Sequence, residues 1–489
     1  MHSFKIRSFI GLLATTFSVA EAAVGLCSKA DSVERDVVVI GGGAAGAHAA
    51  VWLRDHGKTV ALVEKQDTLG GHTAVYHDPA TGTPINVGVQ AWMEYKDTFD
   101  FVTRMGVSTN GSMHFASLTS QYVDFQTGKL VDGYAAPSED AKFAALQVYL
   151  DACEKYEGML LPGFFNFPEP EQIPEDLLMP FGQFVEKYDI AAAVPQLWQS
   201  TVQGVGNFME VPTMYIMQAS PAPMVRALLG KGAAAVPPSG NLHELYERIG
   251  DFLGDDVQYS SQAVASTRTE DDGVTVTVQS SVGDNNANNC TIHAKRLLIA
   301  IEPTVANMAP FELEESEREV FAKLGYTTVY AGIVRHPALK VGTSYGNTLP
   351  AAAPANYTVY PLPAQVGRFD YLDMTSDMFS FTAVGTDADT PASMRALIGQ
   401  TIAGMVSTGV AAAEPTGETE EVEFTAFADH GMMHSRVSAA ELRGGFIQEQ
   451  LGLQGRRSTW YTGAAFTSAF STVLWEYNNM LLPDVIKGI

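Results

Sequence analysis

Four residues near the N-terminus have the types and the spacing needed to bind the phosphates of a dinucleotide. Gly41, Gly43 and Gly46 form a G-x-G-x-x-G turn, and an acid, Glu64, follows further along the chain. In such a turn the first glycine permits the tight bend, the second lets the backbone approach a pyrophosphate, and the third lets a helix pack closely on a strand. The acid can accept hydrogen bonds from ribose hydroxyls. We therefore predict a dinucleotide site at these residues and Ala45; a glycine turn that binds no ligand is the alternative.

The glycines lie between elements that can hold them in place. Residues 37–40 are an apolar run typical of a buried strand, and residues 60–63 predict a second strand. The helix between them carries Ala50 and Leu53 inward and ends at Gly57. Because this helix begins at the glycine turn, its N-terminus can stabilise phosphate charge. The order of elements predicts a Rossmann-like domain, which binds NAD or FAD equally well.

Two further segments bear on which dinucleotide is bound. Gly70 and Gly71 follow Lys65 at the distance where flavoproteins lay bare backbone against the ribityl-pyrophosphate chain. Near the C-terminus a short β-prone run directly precedes Gly463 and Ala464, and we predict that a long helix begins at these two residues. A helix N-terminus at that place suits the pyrophosphate or the pyrimidine carbonyls of a flavin. The alternatives are an ordinary turn at the first segment and a helix that only closes the core at the second.

On these segments the chain resembles the FAD-dependent amine-oxidase-like superfamily, and more narrowly the secreted fungal flavoproteins of the β-cyclopiazonate dehydrogenase type. The resemblance covers nearly the whole chain after its N-terminal leader. It rests on residues 36–64, 69–73, 86–90, 261–264 and 453–466. It implies FAD as the cofactor and a mixed α/β fold. In that fold a Rossmann-like FAD-binding domain of the glutathione-reductase and amine-oxidase type is interleaved with a substrate domain and a helical lid.

The resemblance also implies contacts at particular positions. Val264 matches the strand residue whose backbone contacts the adenine, and Gly88, Val89 and Gln90 match the segment that passes the isoalloxazine ring. Trp460 falls where amine oxidases place one aromatic of their substrate cage. An aromatic ring there can stack on a substrate ring or attract a cation. Ordinary core packing is an equal alternative for Trp460.

The chain departs from the amine-oxidase pattern in two places. Ala464 and Ala465 occupy the stretch where those enzymes usually hold an acid that bonds the ribityl chain. Leu324 and Gly325 lead into residues 326–330 without the lysine that holds a water near the flavin N5. Both departures weaken the case for simple amine oxidation. The C-terminal motif contains no cysteine, which excludes a thioether-linked flavin there, and attachment through a histidine is left open.

Catalytic residues are harder to find, because a flavin accepts the hydride itself. The protein need only orient a C–H bond over the ring and exclude water, so a strong base is not obligatory. The polar candidates are His434 and Tyr330 for catalysis, and Gln90 and His72 beside the cofactor. A structural role is the alternative for each of them.

The leading hypothesis is an FAD-dependent oxidoreductase of the secondary-metabolism type. Its substrate would be a small, hydrophobic metabolite, which includes nitrogen-bearing compounds. The reaction would be a dehydrogenation, with or without ring closure. Its partners would be that small molecule and molecular oxygen or another electron acceptor. Two alternatives are an amine or amino-acid oxidase that releases hydrogen peroxide and a flavin-binding protein without catalysis. The missing lysine argues against the first, and the intact glycine geometry argues against the second.

Composition excludes several other functions. The chain has 489 residues, 55 acidic and 30 basic, and a formal net charge of −25. Nucleic-acid binding needs a basic footprint, so we expect no such partner, and docking on anionic membranes is disfavoured too. We expect no membrane anchor, since no later apolar run reaches the ~20 residues of a membrane span. We also expect no metal site. Three cysteines predict no disulfide framework, and Cys153, on an apolar helix face, is expected to be a core thiol.

The N-terminus predicts a secretory route. Residues 1–22 combine a basic start, a short apolar run and a small-residue cleavage site, which is the pattern of a signal peptide. A frayed N-terminal helix is the alternative. Asn-x-Ser/Thr triplets at Asn110, Asn289 and Asn356 are candidate glycosylation sites in a secreted protein.

The pattern of strands and helices divides the chain into six segments. A helix with apolar spacing of three and four is predicted over residues 139–157, and Ser138 is its expected N-cap. The methionines of the helical block that follows would form an apolar lid or plain core. The predicted segments are 1–22 (signal peptide), 34–95 (FAD-binding, first part), 96–235 (mostly helical substrate or lid region), 236–310 (FAD-binding, second part), 311–440 (substrate-domain strands) and 441–489 (FAD-binding, C-terminal part).

Overall fold

Two seven-stranded sheets form the framework of the protein, which we describe from a computed structural model. The structure describes residue 26 and residues 31–113, 116–200, 204–281, 289–361, 364–373, 377–411 and 421–489. The predicted signal peptide lies outside these residues.

The strands are β1 (Ser32–Ile40), β2 (Val60–Val63), β3 (Thr73–His77), β4 (Pro84–Gly88), β5 (Trp92–Met93), β6 (Thr119–Asp124), β7 (Lys129–Leu130), β8 (Ala234–Ala235), β9 (Val257–Gln258), β10 (Ser261–Arg268), β11 (Val274–Ser280), β12 (Asn289–Ile299), β13 (Gly325–Arg335), β14 (Thr343–Asn347), β15 (Gln365–Tyr371), β16 (Met378–Gly385), β17 (Glu423–Arg436) and β18 (Thr459–Tyr461). The helices are α1 (Ala44–Asp55), α2 (Phe99–Arg104), α3 (Glu139–Leu160), α4 (Glu175–Leu178), α5 (Phe181–Tyr188), α6 (Val194–Ser200), α7 (Thr213–Ala219), α8 (Ala222–Leu228), α9 (Glu244–Leu253), α10 (Val305–Met308), α11 (Glu315–Ala322), α12 (Pro391–Thr408), α13 (Ala439–Arg443), α14 (Phe446–Leu451) and α15 (Ser471–Val485).

The first sheet has the order β10-β11-β12-β1-β2-β9, and β18 pairs with β12. Strands β2, β1 and β12 run parallel, with Val63, Ile40 and Ile299 in register at their carboxyl ends. The glycine turn and α1 follow β1 directly at this edge. In open α/β sheets ligands bind outside the carboxyl ends of the strands. The predicted strand–turn–helix–strand unit is therefore present and correctly placed for a nucleotide.

The C-terminal segment completes this sheet. β18 runs parallel to β12, and α15 packs on α1. The Trp475 Nε1–H donates to the carbonyl of Ala44 at 3.2 Å, and the Asn478 amide donates to that of Ala45 at 2.7 Å. The long helix that was predicted to begin at Gly463 begins at Ser471 instead. The backbone of Gly463 has a φ of +110° and enters a short 3₁₀ turn, which delays the helix.

The second sheet has the order β17-β13-β16-β15-β14-β6-β7. Helix α12 packs on one face, where Tyr330, Phe381 and Ile398 belong to one apolar cluster. Strands β6 and β7 come from the segment predicted to be mostly helical, but β6 pairs in parallel with β14. The β-branched and aromatic residues of β6 favour a strand, and an exposed edge of the sheet gives it a partner.

The hairpin of β3 and β4 connects the two sheets. It follows the Gly70-Gly71 doublet of the nucleotide unit, and its Ile85 and Val87 cluster with Ile333 of the second sheet. Gly88, at the end of β4, therefore lies where the two sheets approach each other. This junction is the natural place for a site that needs both domains.

The helical block from α3 to α8 covers the junction. Ser138 caps α3 as predicted, since its hydroxyl accepts a hydrogen bond from the Ala141 N–H at 3.2 Å. Met214 and Met217 of α7 are buried in the main core, which favours plain packing for them. Within the described ranges no helix is both long enough and apolar enough to cross a membrane. Cys153 is a free, buried thiol, and Cys290 forms a disulfide.

A fully buried ion pair joins β10, α11 and β18. The guanidinium of Arg268 donates to both carboxylate oxygens of Glu317, at 2.9 and 2.6 Å. The hydroxyl of Tyr461 donates to the same carboxylate. A fourth hydrogen bond to the Glu317 carboxylate, from the Glu314 N–H at 2.8 Å, completes the capping box of α11. The pair thus connects the nucleotide sheet to the helix that precedes β13.

Candidate active site

Glycine backbone forms a cradle at the carboxyl edge of the first sheet. A methyl group on Gly46 would lie 1.8 Å from the carbonyl oxygen of Gly41, so α1 approaches the end of β1 as closely as backbone allows. Gly41 has a φ of +98°, and a methyl there would lie 2.6 Å from the side chain of Ile301. Gly43 and Gly71 face each other, since a methyl on Gly71 would lie 3.0 Å from the Gly43 Cα. Side chains are thus excluded from a strip of backbone that a pyrophosphate can approach.

Glu64 closes one end of this cradle. Its side chain is buried at the end of β2 and accepts hydrogen bonds from the N–H groups of Gly42 at 2.6 Å and Gln66 at 2.8 Å. A carboxylate has about four acceptor positions, so two backbone donors leave capacity for ribose hydroxyls. Lys65, beside it, is exposed.

The C-terminal segment supplies the other end. A methyl on Gly463 would lie 3.9 Å from the backbone of Ala300, so this glycine borders the carboxyl end of β12. The hydroxyls of Thr467 and Thr472, just before and inside the first turn of α15, are buried and have no hydrogen-bond partner in the described part of the chain. Buried polar atoms normally have partners, so these two are suited to a polar ligand. The cradle and these orphan hydroxyls fit a long dinucleotide such as FAD.

Two other predicted cofactor contacts have suitable backbone. Val264 is 38% exposed and has no partner in the register of β10 and β11, where a bulge falls between Ala263 and Ala265. Its backbone is therefore open to a ligand such as adenine. Gln90 is exposed, and its amide donates to the carbonyl of Gly88 at 3.1 Å, which fixes the chain around Val89.

Two β-bulges in β17 aim histidines at the junction of the sheets. His430 and Gly431 oppose Val329 alone, and His434 and the residue after it oppose Tyr326 alone. Bulges are frequent beside active sites because they re-aim a side chain. His434 has a φ of +52°, a left-handed conformation that is uncommon for residues other than glycine.

Two imidazoles, those of His72 and His430, meet beside Gly88, and His434 interacts electrostatically with His72. The rings of His72 and His430 are 5.0 Å apart, edge to face, and a methyl on Gly88 would lie 3.0 Å from the His430 ring. Burial lowers the pKa of His430 to about 3 and that of His434 to about 4, and it also lowers the pKa of His72. All three are therefore neutral near pH 7. The His430 Nε2 is buried and has no partner among the described residues.

A small cavity connects His434 with the C-terminal segment. Its walls include Tyr215 of α7, His434 and Ser435 of β17, and Ala464 and Thr467 after Gly463. It is lined from three directions by the helical block, the second sheet and the predicted flavin-binding segment. Predicted catalytic and cofactor residues thus meet at this place.

Two predicted pocket residues lie elsewhere. The Tyr330 ring is in the cluster under α12, and its hydroxyl donates to the Asp389 carbonyl at 3.3 Å. Neighbouring residues of a strand face opposite ways, so Val329 takes the side toward His434 and Tyr330 takes the core. Trp460 lies under the guanidinium of Arg296, 5.4 Å from the ring centre, in the first sheet. These placements favour structural packing for Tyr330 and Trp460.

His430 was missed by the sequence analysis. The available signal was the spacing of His430 and His434, because residues four apart share a face of a regular strand. Arg436 was also missed, although it ends the same strand. No group of histidine, cysteine and acidic side chains in the described ranges could hold a metal ion.

The buried histidines make stability depend on pH in a defined direction. Between about pH 4 and 6.5 the unfolded chain binds a proton at His434 while the folded protein does not, so stability falls as pH is lowered through this window. We expect His434→Asn, which tolerates the positive φ, to reduce proton uptake on unfolding by about one. Urea unfolding midpoints of both proteins from pH 4 to 7 measure this difference. Identical pH slopes would show that His434 is not buried in its neutral form.

The fold and the cradle define a flavoprotein oxidoreductase. The chain belongs to the family described as flavin containing amine oxidoreductase, whose model matches residues 44–338. It is an FAD-dependent oxidoreductase, which confirms the predicted fold class, family and cofactor. The contacts of individual residues with FAD stay predictions.

Relatives from fungi match almost the whole chain. FAD-dependent oxidoreductase pigF of Monascus ruber is 33% identical over 483 residues, 96% of this chain and 98% of that protein. β-Cyclopiazonate dehydrogenase of Aspergillus oryzae is 32% identical over 486 residues, 99% of each chain. The chain is thus similar to oxidoreductases along its full length.

Solved structures share the fold at lower identity. A fatty acid isomerase from P. acnes has a TM-score of 0.67 at 18% identity, covering 92% of this chain and 98% of its own. Cyclohexylamine oxidase from Brevibacterium oxydans has a TM-score of 0.59 at 17% identity, covering 93% and 99%. At this identity the likeness supports the fold alone.

Proposed function

We propose that the protein dehydrogenates a small, hydrophobic metabolite at the junction of the two sheets. The observation that carries the proposal is the pair of bulges in β17, which aim neutral histidines at Gly88 and at the cavity beside Ala464. A neutral imidazole can accept or donate a hydrogen bond without bringing a charge into an apolar site. Such a site suits a weakly polar substrate.

Each part of the chain would have a distinct task. The glycine cradle and Glu64 would hold FAD, which when bound accepts a hydride at N5 and passes electrons to oxygen or another acceptor. His430 Nε2 and His434 would orient a substrate N–H or O–H, so that the adjacent C–H bond is held in one position. The buried helix α7 would exclude water from this space.

The reaction type has two supports. A relative at 32% identity is named β-cyclopiazonate dehydrogenase, which favours dehydrogenation. Strand β13 reads Gly-Tyr-Thr-Thr-Val-Tyr-Ala-Gly-Ile-Val-Arg and contains no lysine, which disfavours simple amine oxidation. Val329 and His434 instead occupy the space beside Gly204, where a methyl would lie 2.8 Å from each.

We also propose that the protein acts in the secretory pathway or outside the cell. The asparagines of all three Asn-x-Ser/Thr triplets, Asn110, Asn289 and Asn356, are exposed. A disulfide at Cys290 is compatible with an oxidising compartment.

Deletion of the coding sequence in its host tests the function. The deletion strain should accumulate a compound with two more hydrogen atoms than the lost product, and that compound should bleach the flavin spectrum of the purified protein in the absence of air. A peroxide assay after readmitting air then identifies oxygen as the acceptor or excludes it. In the complemented strain, N-glycosidase should lower the mass of the protein. An unchanged metabolite profile, or amines as the only compounds that bleach the flavin, would refute dehydrogenation of a hydrophobic metabolite.

A further inference from the structure

Arg436 is a largely desolvated cation that pairs with none of the carboxylates in the described part of the chain. Its guanidinium donates to the carbonyls of His434 at 3.0 Å and Tyr326 at 3.4 Å. Within the described ranges no acidic side chain forms an ion pair with it, in contrast to the buried Arg268, which Glu317 neutralises. Burial lowers the pKa of Arg436, although an arginine stays charged near neutral pH. Removing a charge from water is costly unless an opposite charge compensates it.

The chain leaves room for this guanidinium at Gly206. A methyl on Gly206 would lie 2.6 Å from one terminal nitrogen of Arg436 and 2.8 Å from Nε. Gly206 also has a φ of +88°, a conformation that favours glycine. The guanidinium is thus fitted against bare backbone, and any side chain at residue 206 would displace it.

Tyr215 supplies a second donor beside it. Its hydroxyl accepts a hydrogen bond from the Val437 N–H at 3.0 Å, which leaves the O–H free to donate. No acceptor for that O–H is found in the described part of the chain. Tyr215 and Arg436 interact electrostatically, and burial raises the pKa of Tyr215, so the phenol keeps its proton.

Tyr215 lines the cavity of the candidate site together with His434, Ser435 and Ala464. The Arg436 guanidinium lies against Gly206, directly beside Val205 of the cavity wall. A guanidinium and a phenol O–H are donors that match the oxygens of a carboxylate. The same positive charge repels an ammonium group. We propose that Arg436 and Tyr215 form an anion subsite that takes a carboxylate or an ionised enol of the substrate. This inference rests on the proposed function and refines its substrate to a hydrophobic acid.

Three simple probes test the subsite in the full-length, FAD-loaded protein. Benzoate, the neutral benzamide and the cationic benzylamine are titrated, with flavin difference absorption and calorimetry as readouts. We expect benzoate to bind about tenfold more tightly than benzamide, and benzylamine to bind least. Arg436→Gln should weaken benzoate about tenfold and leave benzamide unchanged, and Tyr215→Phe should weaken benzoate by a smaller factor. Arg443→Gln, at an exposed arginine paired with Glu175, is the matched control and should change neither.

The outcomes separate the subsite from its alternatives. Unchanged benzoate affinity in Arg436→Gln would overturn the proposal, as would a preference for benzylamine. If Arg436→Gln fails to fold or to retain FAD, Arg436→Lys and Tyr215→Phe give the same comparison, with a smaller loss of benzoate affinity expected. Unchanged benzoate affinity in both variants would overturn the proposal. A changed flavin reduction potential with unchanged benzoate binding would assign Arg436 to the flavin instead. Because these measurements need no turnover, an Arg436-dependent benzoate site would stand even if the proposed dehydrogenation failed.

Discussion

Gly46→Ala is expected to abolish FAD binding and to destabilise the fold, although alanine normally strengthens a helix. The added methyl would lie 1.8 Å from the Gly41 carbonyl oxygen and 3.1 Å from the side chain of Ala300. The first of these neighbours is backbone of the cradle, so α1 must move away from the sheet. Overpacking of this kind costs about 1–3 kcal/mol or more, and the displaced helix no longer presents its N-terminus to the pyrophosphate. We expect the FAD content to fall at least about tenfold.

Gly158→Ala is the matched control, because it also replaces a helical glycine. Nothing lies within 4 Å of a methyl at this position of α3. Alanine should therefore stabilise the protein by about 0.5–1 kcal/mol, with full FAD content. The ratio of flavin to protein absorbance and the thermal unfolding midpoint measure both effects. Full flavin occupancy in Gly46→Ala would show that α1 does not need this close approach.

The second large effect is expected at the buried pair of Arg268 and Glu317. Arg268→Met should destabilise the protein by about 3–5 kcal/mol, because it leaves Glu317 buried without a cation. The exposed fractions of these side chains are 0% and 1%, so solvent cannot compensate. Arg443→Met, which breaks an exposed pair, should cost no more than about 1 kcal/mol. Chemical unfolding at neutral pH measures the difference.

The same pair gives a dependence on pH with a defined sign. Burial alone would raise the pKa of Glu317, but hydrogen bonds from Arg268 and Tyr461 bring it below its usual value of 4.5. A lowered carboxyl pKa contributes stability above the unfolded value, and this contribution is lost as pH falls through the folded value. The deficit of Arg268→Met should therefore shrink as pH is lowered below about 4.5. A deficit that does not depend on pH would attribute the loss to packing.

The nucleotide unit could be predicted because its information is local. The spacing of Gly41, Gly43 and Gly46 between two apolar runs determines a turn, a helix start and a close packing contact within one short segment. The anchoring acid, Glu64, follows in the same unit. No distant residue was needed to recognise this part of the site.

The catalytic side of the site could not be predicted in the same way. The bulge that re-aims His430 exists because two residues of β17 oppose one residue, Val329, about a hundred positions earlier. Local sequence carries no information about which residues pair across that separation. Tyr330 illustrates the same limit, because only the position of α12 decides which face of β13 is core. A strong β pattern predicts the strand, but not the face that meets the substrate.

The contacts between α1 and α15 have a consequence for the order of synthesis. The glycine turn is made early relative to the partners of its helix, because Trp475 and Asn478 follow 431 and 433 positions after the residues to which they donate. A chain made only as far as β17 therefore lacks both β18, which pairs with β12, and α15, which packs on α1. We therefore expect FAD to be retained only after α15 has been made and has packed on α1. Deletion of α15 should therefore impair FAD binding at the glycine cradle beside α1 as much as at Gly463.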